Sequence, residues 1–236
     1  MDKRILAIIP ARGGSKGLKK KNIKLLKDKP LIRWTIDEAK LCNNIDRIVV
    51  TSDCDEILNI SNDRKVTLIK RPSYLATDES PTIDSIFHVL DFLKTQEYYP
   101  EYLVLLQCTT PFRKAIDIEK AIDDFINNEK FFDSLVSVTE EEYPPYWLKS
   151  MKNDCEIVDF LSYDKEQYKR RQDFSKLYKL NGCIYITSTK NLYKNKAFEG
   201  KKVKAYMMDV ISSIDIDTED DFKYAEYIAM SRGELE

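Results

Sequence analysis

The sequence is poor in histidine, the side chain that most often serves metal and acid–base chemistry near neutral pH. It has one histidine, His88, among 236 residues, so a multi-histidine metal centre is excluded. Its five cysteines (Cys42, Cys54, Cys108, Cys155 and Cys183) are odd in number and widely spaced. That pattern reads as reduced cytosolic thiols and fits neither a disulfide framework nor a zinc site. No apolar run approaches the roughly 18–20 residues of a membrane-spanning helix, and residues 1–4 lead straight into a strand-like run. An excess of one charge is missing too. The 38 basic and 40 acidic side chains leave a net charge of −2, which argues against a general nucleic-acid or membrane-surface binder. A cytoplasmic protein is expected, of a length that suits one α/β domain with an appendage.

Glycine is also scarce, but its placement is informative. Of six glycines, Gly13, Gly14 and Gly17 fall within five residues. Charge is as unevenly placed. Residues 1–30 hold ten Lys and Arg against Asp2 and Asp28, a local excess of eight positive charges. Residues 207–221 hold six acids (Asp209, Asp215, Asp217, Glu219, Asp220 and Asp221) and no base. A basic loop and an acidic corner together suit a polyanion carried with a cation, such as a nucleoside triphosphate with magnesium.

Hydrophobic patterning gives the order of elements. Buried strands are expected at 5–10, 46–51, 66–69, 102–106, 134–138, 182–187 and 203–208. Helices are expected at 30–41, 55–62, 80–94, 115–127 and from Thr218 to about residue 230. Ser80 and Pro81 supply a hydroxyl cap and a first-turn proline, and Thr218 with Asp221 forms a capping-box-like start. Strands and helices alternate, which predicts an α/β, Rossmann-like, mainly parallel sheet flanked by helices. Residues 140–178 depart from this. They lose periodicity and are rich in aromatics, as expected for a functional arm, lid or oligomer contact inserted in a single 1–236 domain.

Residues 9–17, Ile-Pro-Ala-Arg-Gly-Gly-Ser-Lys-Gly, leave the first strand at the carboxyl edge of the sheet, where such folds bind ligands. Glycines let backbone amides approach phosphate oxygens, and Arg12, Lys16 and Lys21 supply charge, with Asn22 behind them. The spacing is neither G-x-x-x-x-G-K-[ST] nor G-x-G-x-x-G. A plain glycine turn with solvated lysines is the simpler reading; position and three cations favour phosphate binding. At the other charge pole, Ile214-Asp215-Ile216-Asp217 in extended chain places both carboxylates on one face, about 7 Å apart in Cα. Such a pair suits magnesium beside a phosphate, and equally suits capping of the helix that follows.

The run from Ile9 to Gly17, followed by Lys21-Asn22, resembles the signature of the acylneuraminate cytidylyltransferase (CMP-sialic acid synthetase) family, with Lys19 where many members have proline. Later segments agree: Lys70-Arg71-Pro72 and Leu75-Ala76-Thr77-Asp78 with Thr82 beyond, Leu106 to Arg113, Arg170-Arg171-Gln172, and Asn181-Gly182-Cys183-Ile184-Tyr185. Cys108, Thr110 and Phe112 depart conservatively from the family's run.

The resemblance implies CMP transfer from CTP to the anomeric hydroxyl of a nine-carbon, sialic-acid-like sugar acid. Pyrophosphate is released with the aid of Mg2+ or another divalent cation. It implies catalytic roles for Arg12, Lys16, Lys21 and Asp217, and nucleotide binding by Ala11, Arg12, Gly13, Gly14, Ser15, Lys16, Asn22, Arg71 and Thr82. Gln107, Arg171 (or Arg170) and Tyr185 would meet the sugar, and Asp215 and Asp217 the metal. The 140–178 insertion would be a dimerisation arm, making a homodimer, with no nucleic-acid or membrane partner. A nucleotidyltransferase using another sugar acid or base, or a silent nucleotide-binding protein of the same fold, are the competing readings.

Overall fold

The computed structural model describes residues 3–15, 17–167 and 169–233. In chain order the strands and helices are β1 (Ile5–Pro10), β2 (Leu25–Leu26), β3 (Lys29–Pro30), α1 (Leu31–Leu41), β4 (Arg47–Ser52) and α2 (Asp55–Ile60). They continue with β5 (Val66–Lys70), α3 (Thr82–Lys94), β6 (Tyr102–Leu106), α4 (Ala115–Asn128), β7 (Ser134–Glu141) and β8 (Lys149–Met151). The chain ends through β9 (Ile157–Asp159), β10 (Leu177–Ser188), α5 (Thr189–Asn195), β11 (Val203–Met207) and α6 (Glu219–Gly233).

Seven strands form one sheet in the order β11-β7-β10-β6-β1-β4-β5. Among the described strands of that sheet, β10 alone runs antiparallel to its neighbours. The first strand lies between β6 and β4, both parallel to it. Its alternate residues feed two cores because both its faces are covered. Ile5, Ala7 and Ile9 face a core shared with α1, α2 and α4, while Leu6 and Ile8 face α3 and α5. A third cluster joins Leu18, Leu26, Phe112 and Ile216 to Phe222 and Ala225 of α6. These apolar anchors draw the glycine loop, the turn after β6 and the acidic segment to one corner.

The structure corrects several sequence expectations. The segment 140–178 is less irregular than its composition suggests. Strand β7 continues to Glu141, β10 begins at Leu177, and the two pair as a ribbon that projects beyond the sheet. Beyond it lie the β8–β9 hairpin and an aromatic cluster in which Tyr146 stacks on Phe174 at 5.3 Å. The second helix stops at Ile60, and α5 and the β2–β3 ribbon went unread. Ser80 does not cap α3. Its hydroxyl turns back to donate to the Tyr74 carbonyl at 2.6 Å, and Pro81 takes the cap position without a side-chain bond. Among the described residues no helix is long and apolar enough to cross a membrane.

Candidate active site

The loop after β1 is braced from behind. Ala11 is buried and donates its N–H to the Thr51 carbonyl at 3.0 Å. Asn22, also buried, donates its side-chain amide to the Arg12 carbonyl at 3.0 Å. Gly13 donates its N–H to Asp53 Oδ1 at 2.9 Å, so this amide is already engaged. Gly17 is needed for close approach: a Cβ there would lie 2.3 Å from the Asp217 carbonyl oxygen. A side chain cannot fit, which is how the glycine loop and the acidic segment come into backbone contact. Gly14 has open space where a Cβ would stand. Lys16 lies outside the described residues.

The two charge poles meet here. Lys21 Nζ donates to Asp217 Oδ1 at 2.8 Å and to the Ile216 carbonyl at 2.6 Å. Its own side chain is nearly buried while that of Asp217 is 72% exposed, so one carboxylate oxygen stays open to the cleft. Asp215 is more deeply set. Burial pushes its carboxyl above the usual range; a hydrogen bond from Thr109 opposes this and the neighbouring Asp217 charge reinforces it. The capping role anticipated for this corner falls to Asp221, whose Oδ2 accepts from the N–H groups of Thr218 at 2.8 Å and Asp217 at 3.1 Å. The Asp215–Asp217 pair is thereby left for other work.

Arg12 reaches the opposite wall, pairing with Asp78 at 2.8 Å and donating to the Thr77 carbonyl at 3.1 Å. Arg71, at the end of β5, is only 6% exposed. It donates Nη1 to Ser85 Oγ at 2.7 Å, while its Nε has no partner. Burial weakens its hold on the proton, countered by nearby Asp53.

A buried arginine nitrogen without an acceptor is costly, and the residue that carries it lines an open cleft. The cleft measures about 430 Å³ and follows the carboxyl edge of β1, β5 and β6. The structure brings Arg12, Ser15, Lys21 and Asn22 to its basic side, and Arg71 and Thr82 to one wall. Gln107 and Asp217 line it as well.

Six expected residues among those described are not part of this lining: Ala11, Gly13, Gly14, Asp215, Tyr185 and Arg171. Tyr185 is half-buried against the core beneath α3; burial, then the charges of Glu199 and Asp215, hold its hydroxyl above the usual range. Arg171 lies on the arm, where it pairs with Glu142 at 2.6 Å, and Arg170 pairs with Asp173 at 3.2 Å. Sequence reasoning also missed Asp53 and Asp78, the carboxylates that hold Gly13 and Arg12. Asp53 could have been flagged, because it follows a buried strand at the same sheet edge as the glycine loop. Asp78 closes the Leu75–Asp78 segment that the family resemblance singled out, without a role assigned to it.

The bulge in β10 completes the corner. Its residues 181–184 stand opposite Ser137 alone in the ladder between Leu180↔Val138 and Tyr185↔Val136. Ser137 fills the gap, donating to Asn181 Oδ1 at 2.6 Å and accepting from the Ile184 N–H at 2.8 Å. Gly182 takes φ +70°, which a side chain would strain, and a Cβ there would stand 3.7 Å from Gln107 Oε1 and 3.9 Å from Asp215 Oδ2.

Comparison with known proteins gives a consistent result. The profile of the family described as Cytidylyltransferase matches residues 6–234. An N-acylneuraminate cytidylyltransferase of Escherichia coli is 35% identical over 225 residues, covering 95% of this chain and 52% of that protein. The chain thus spans about half the length of that relative. A CMP-N,N'-diacetyllegionaminic acid synthase of Legionella pneumophila is 36% identical, covering 94% of this chain and 95% of that protein. The structure of CMP:2-keto-3-deoxy-manno-octonic acid synthetase complexed with CTP superposes with a TM-score of 0.70 at 14% identity. It covers 98% of this chain and 100% of that one, a likeness of fold alone.

Proposed function

The chain belongs to the cytidylyltransferase family, and from that footing we propose that it transfers CMP from CTP to a nine-carbon, sialic-acid-like sugar acid, releasing pyrophosphate. The observation that carries this reading is the contact between Lys21 and Asp217 inside the cleft. A cation suited to phosphate and a carboxylate suited to a metal stand side by side where a triphosphate would lie.

In this reading Arg12, Lys16, Lys21 and the amides of Gly14 and Ser15 hold the triphosphate, with Ala11, Gly13 and Asn22 shaping the loop. Arg71 and Thr82 stand on the wall that would meet the cytidine. Gln107 meets the sugar acid and Tyr185 backs that end. Arg171 has a planar fork suited to the sugar carboxylate and would serve the cleft of a second copy of the chain in a homodimer.

Asp215 and Asp217 fit magnesium in kind, since both are hard oxygen donors beside a phosphate site. Among the described residues no group of three or more His, Cys, Asp or Glu is placed to hold a metal, so phosphate oxygens and water would complete the shell. When bound, the ion neutralises charge on the phosphate oxygens.

The sugar's anomeric oxygen attacks the α-phosphorus and the bond to pyrophosphate breaks. Charge spreads over the phosphate oxygens, and fixed cations and amides stabilise it without having to reorganise. Lys21 is well suited to this, because two acceptors already orient its ammonium. The five cysteines are unpaired, which suits an enzyme of the cytoplasm.

The test is pyrophosphate release measured with CTP, Mg2+ and a panel of N-acetylneuraminic, legionaminic and pseudaminic acids. Turnover with one of these is expected. No turnover with any sugar acid or nucleotide would overturn the reading, and turnover with another nucleotide alone would overturn its cytidylyl part. Sedimentation as a monomer at micromolar concentration would remove the homodimer.

A further inference from the structure

Among the described residues Arg113 is the largest fully buried side chain, 1% exposed, and the chemistry described so far does not use it. Its Nη2 donates to the Thr110 carbonyl at 2.9 Å, to Thr110 Oγ1 at 3.0 Å, to Thr35 Oγ1 at 3.2 Å and to the Gln107 carbonyl. Its Nε and Nη1 have no partner. Among the described residues no carboxylate lies within ion-pair distance, so the guanidinium is a nearly lone buried cation. An apolar side chain of similar volume would avoid that cost, which makes stability a poor reason for the arginine.

What the arginine does hold is the turn after β6. That turn carries Gln107 into the cleft. It also sets the register of the acidic segment, because the Thr109 carbonyl accepts the Ile216 N–H at 2.9 Å, midway between Asp215 and Asp217. Thr109 also hydrogen-bonds the Asp215 carboxylate. Pro111 follows, and Phe112 is locked edge-to-face on Trp34 at 5.7 Å, so the turn is pinned on its far side by packing and on its near side by Arg113.

We propose that Arg113 is a positioning residue that clamps the 107–110 turn and, through Thr109, aligns the Asp215–Asp217 pair and Gln107 with the glycine loop. The reach of the side chain matters more than its charge, because Nη2, which makes all four bonds, lies one atom farther from the backbone than a lysine Nζ. The inference rests on the proposed reaction, with the acid pair as its metal ligands.

Two variants of the full chain test it. Arg113→Met removes charge and donors while conserving bulk, and Arg113→Lys keeps the charge without the reach. For the Met variant the melting temperature is expected at or above that of the parent, because the lone buried charge is gone. Its kcat should fall roughly 100-fold, the cost of displacing reacting groups by about an ångström. Mn2+ binding in the presence of CTP, read by electron paramagnetic resonance, should weaken about 10-fold, the scale for losing a support behind metal ligands. The KM for CTP should stay within about twofold, since the triphosphate loop is untouched.

The Lys variant should resemble the Met variant in kcat and Mn2+ affinity. Lys restoring both to parental values would overturn the proposal, as would a folded Met variant with unchanged kcat and Mn2+ affinity. If the Met variant does not fold, the Lys variant decides. If the parent itself shows no turnover, the proposed function fails, and the Mn2+ comparison alone judges the clamp.

Discussion

Lys21 and Asp217 stand 196 positions apart in the chain and touch at 2.8 Å. The contact closes a small circuit. Beside it Gly17 presses against the Asp217 backbone, and the Ile216 carbonyl accepts a second hydrogen bond from the lysine. Replacing Asp217 with Asn should therefore leave the fold intact, since the side chain is mostly exposed, and lower Mg2+-dependent turnover by about 100-fold or more. Pyrophosphate release and a melting curve on the same preparation check both halves. A parental rate would remove Asp217 from the site.

Gly17 and Gly14 should respond in opposite ways to alanine. At Gly17 the new Cβ would stand 2.3 Å from a backbone oxygen, so the loop or the acidic segment must move. Overpacking of this kind costs about 1–3 kcal/mol, and the displaced Asp217 should take turnover with it. At Gly14 nothing lies within 4 Å, so stability should change by less than about 0.5 kcal/mol. Urea midpoints for the two variants make the comparison. Equal costs at both positions would contradict the close approach.

Arg71→Ala should raise the KM for CTP about tenfold or more while changing kcat less, because in the proposed reading Arg71 serves nucleotide binding from the cleft wall and does not contact the reacting phosphorus. Initial rates at saturating sugar acid measure the split. A fall confined to kcat would place Arg71 elsewhere in the reaction.

Acid sensitivity should include a contribution from Asp63. Its carboxylate accepts from Lys40 at 2.5 Å and from the Lys65 N–H at 3.0 Å, which lowers its pKa to about 2. A pKa depressed on folding stabilises the native state above the unfolded value near 3.8, and that stability is lost as pH falls toward about 2. Asp63→Asn should lower the urea midpoint at pH 7 and flatten its decline between pH 4 and 2. An unchanged slope in that window would show that another carboxylate dominates.

The thiols offer a simple check of burial. Burial pushes Cys42 and Cys108 up to about 12 and Cys183 up to about 11, whereas Cys155 is exposed on the β8–β9 hairpin. A thiol reagent at pH 8 should modify Cys155 at once, Cys54 more slowly, and the other three only after unfolding. Rapid reaction of four or five thiols would contradict the packing around the turn after β6.

The sequence by itself determined what neighbouring residues can encode. Apolar runs of five or six residues specify strands buried on both faces, as in β1 and β6, and the three-to-four spacing of α3 and α4 specifies helices that cover them. Alternation of these elements was enough for the sheet, and the position of the glycine loop directly after β1 was enough to put it at the carboxyl edge. The acidic pair and the Thr218–Asp221 cap were legible for the same reason. The tertiary structure decided what depends on pairing between distant segments. It turned β10 antiparallel, opened the Asn181–Gly182 bulge against Asp215, aimed Arg12 at Asp78, and buried Arg113 beneath the turn that positions Gln107. No local pattern announces these contacts, because each exists only after the strand order has brought loops far apart in sequence to one edge and three apolar anchors have drawn them into one corner.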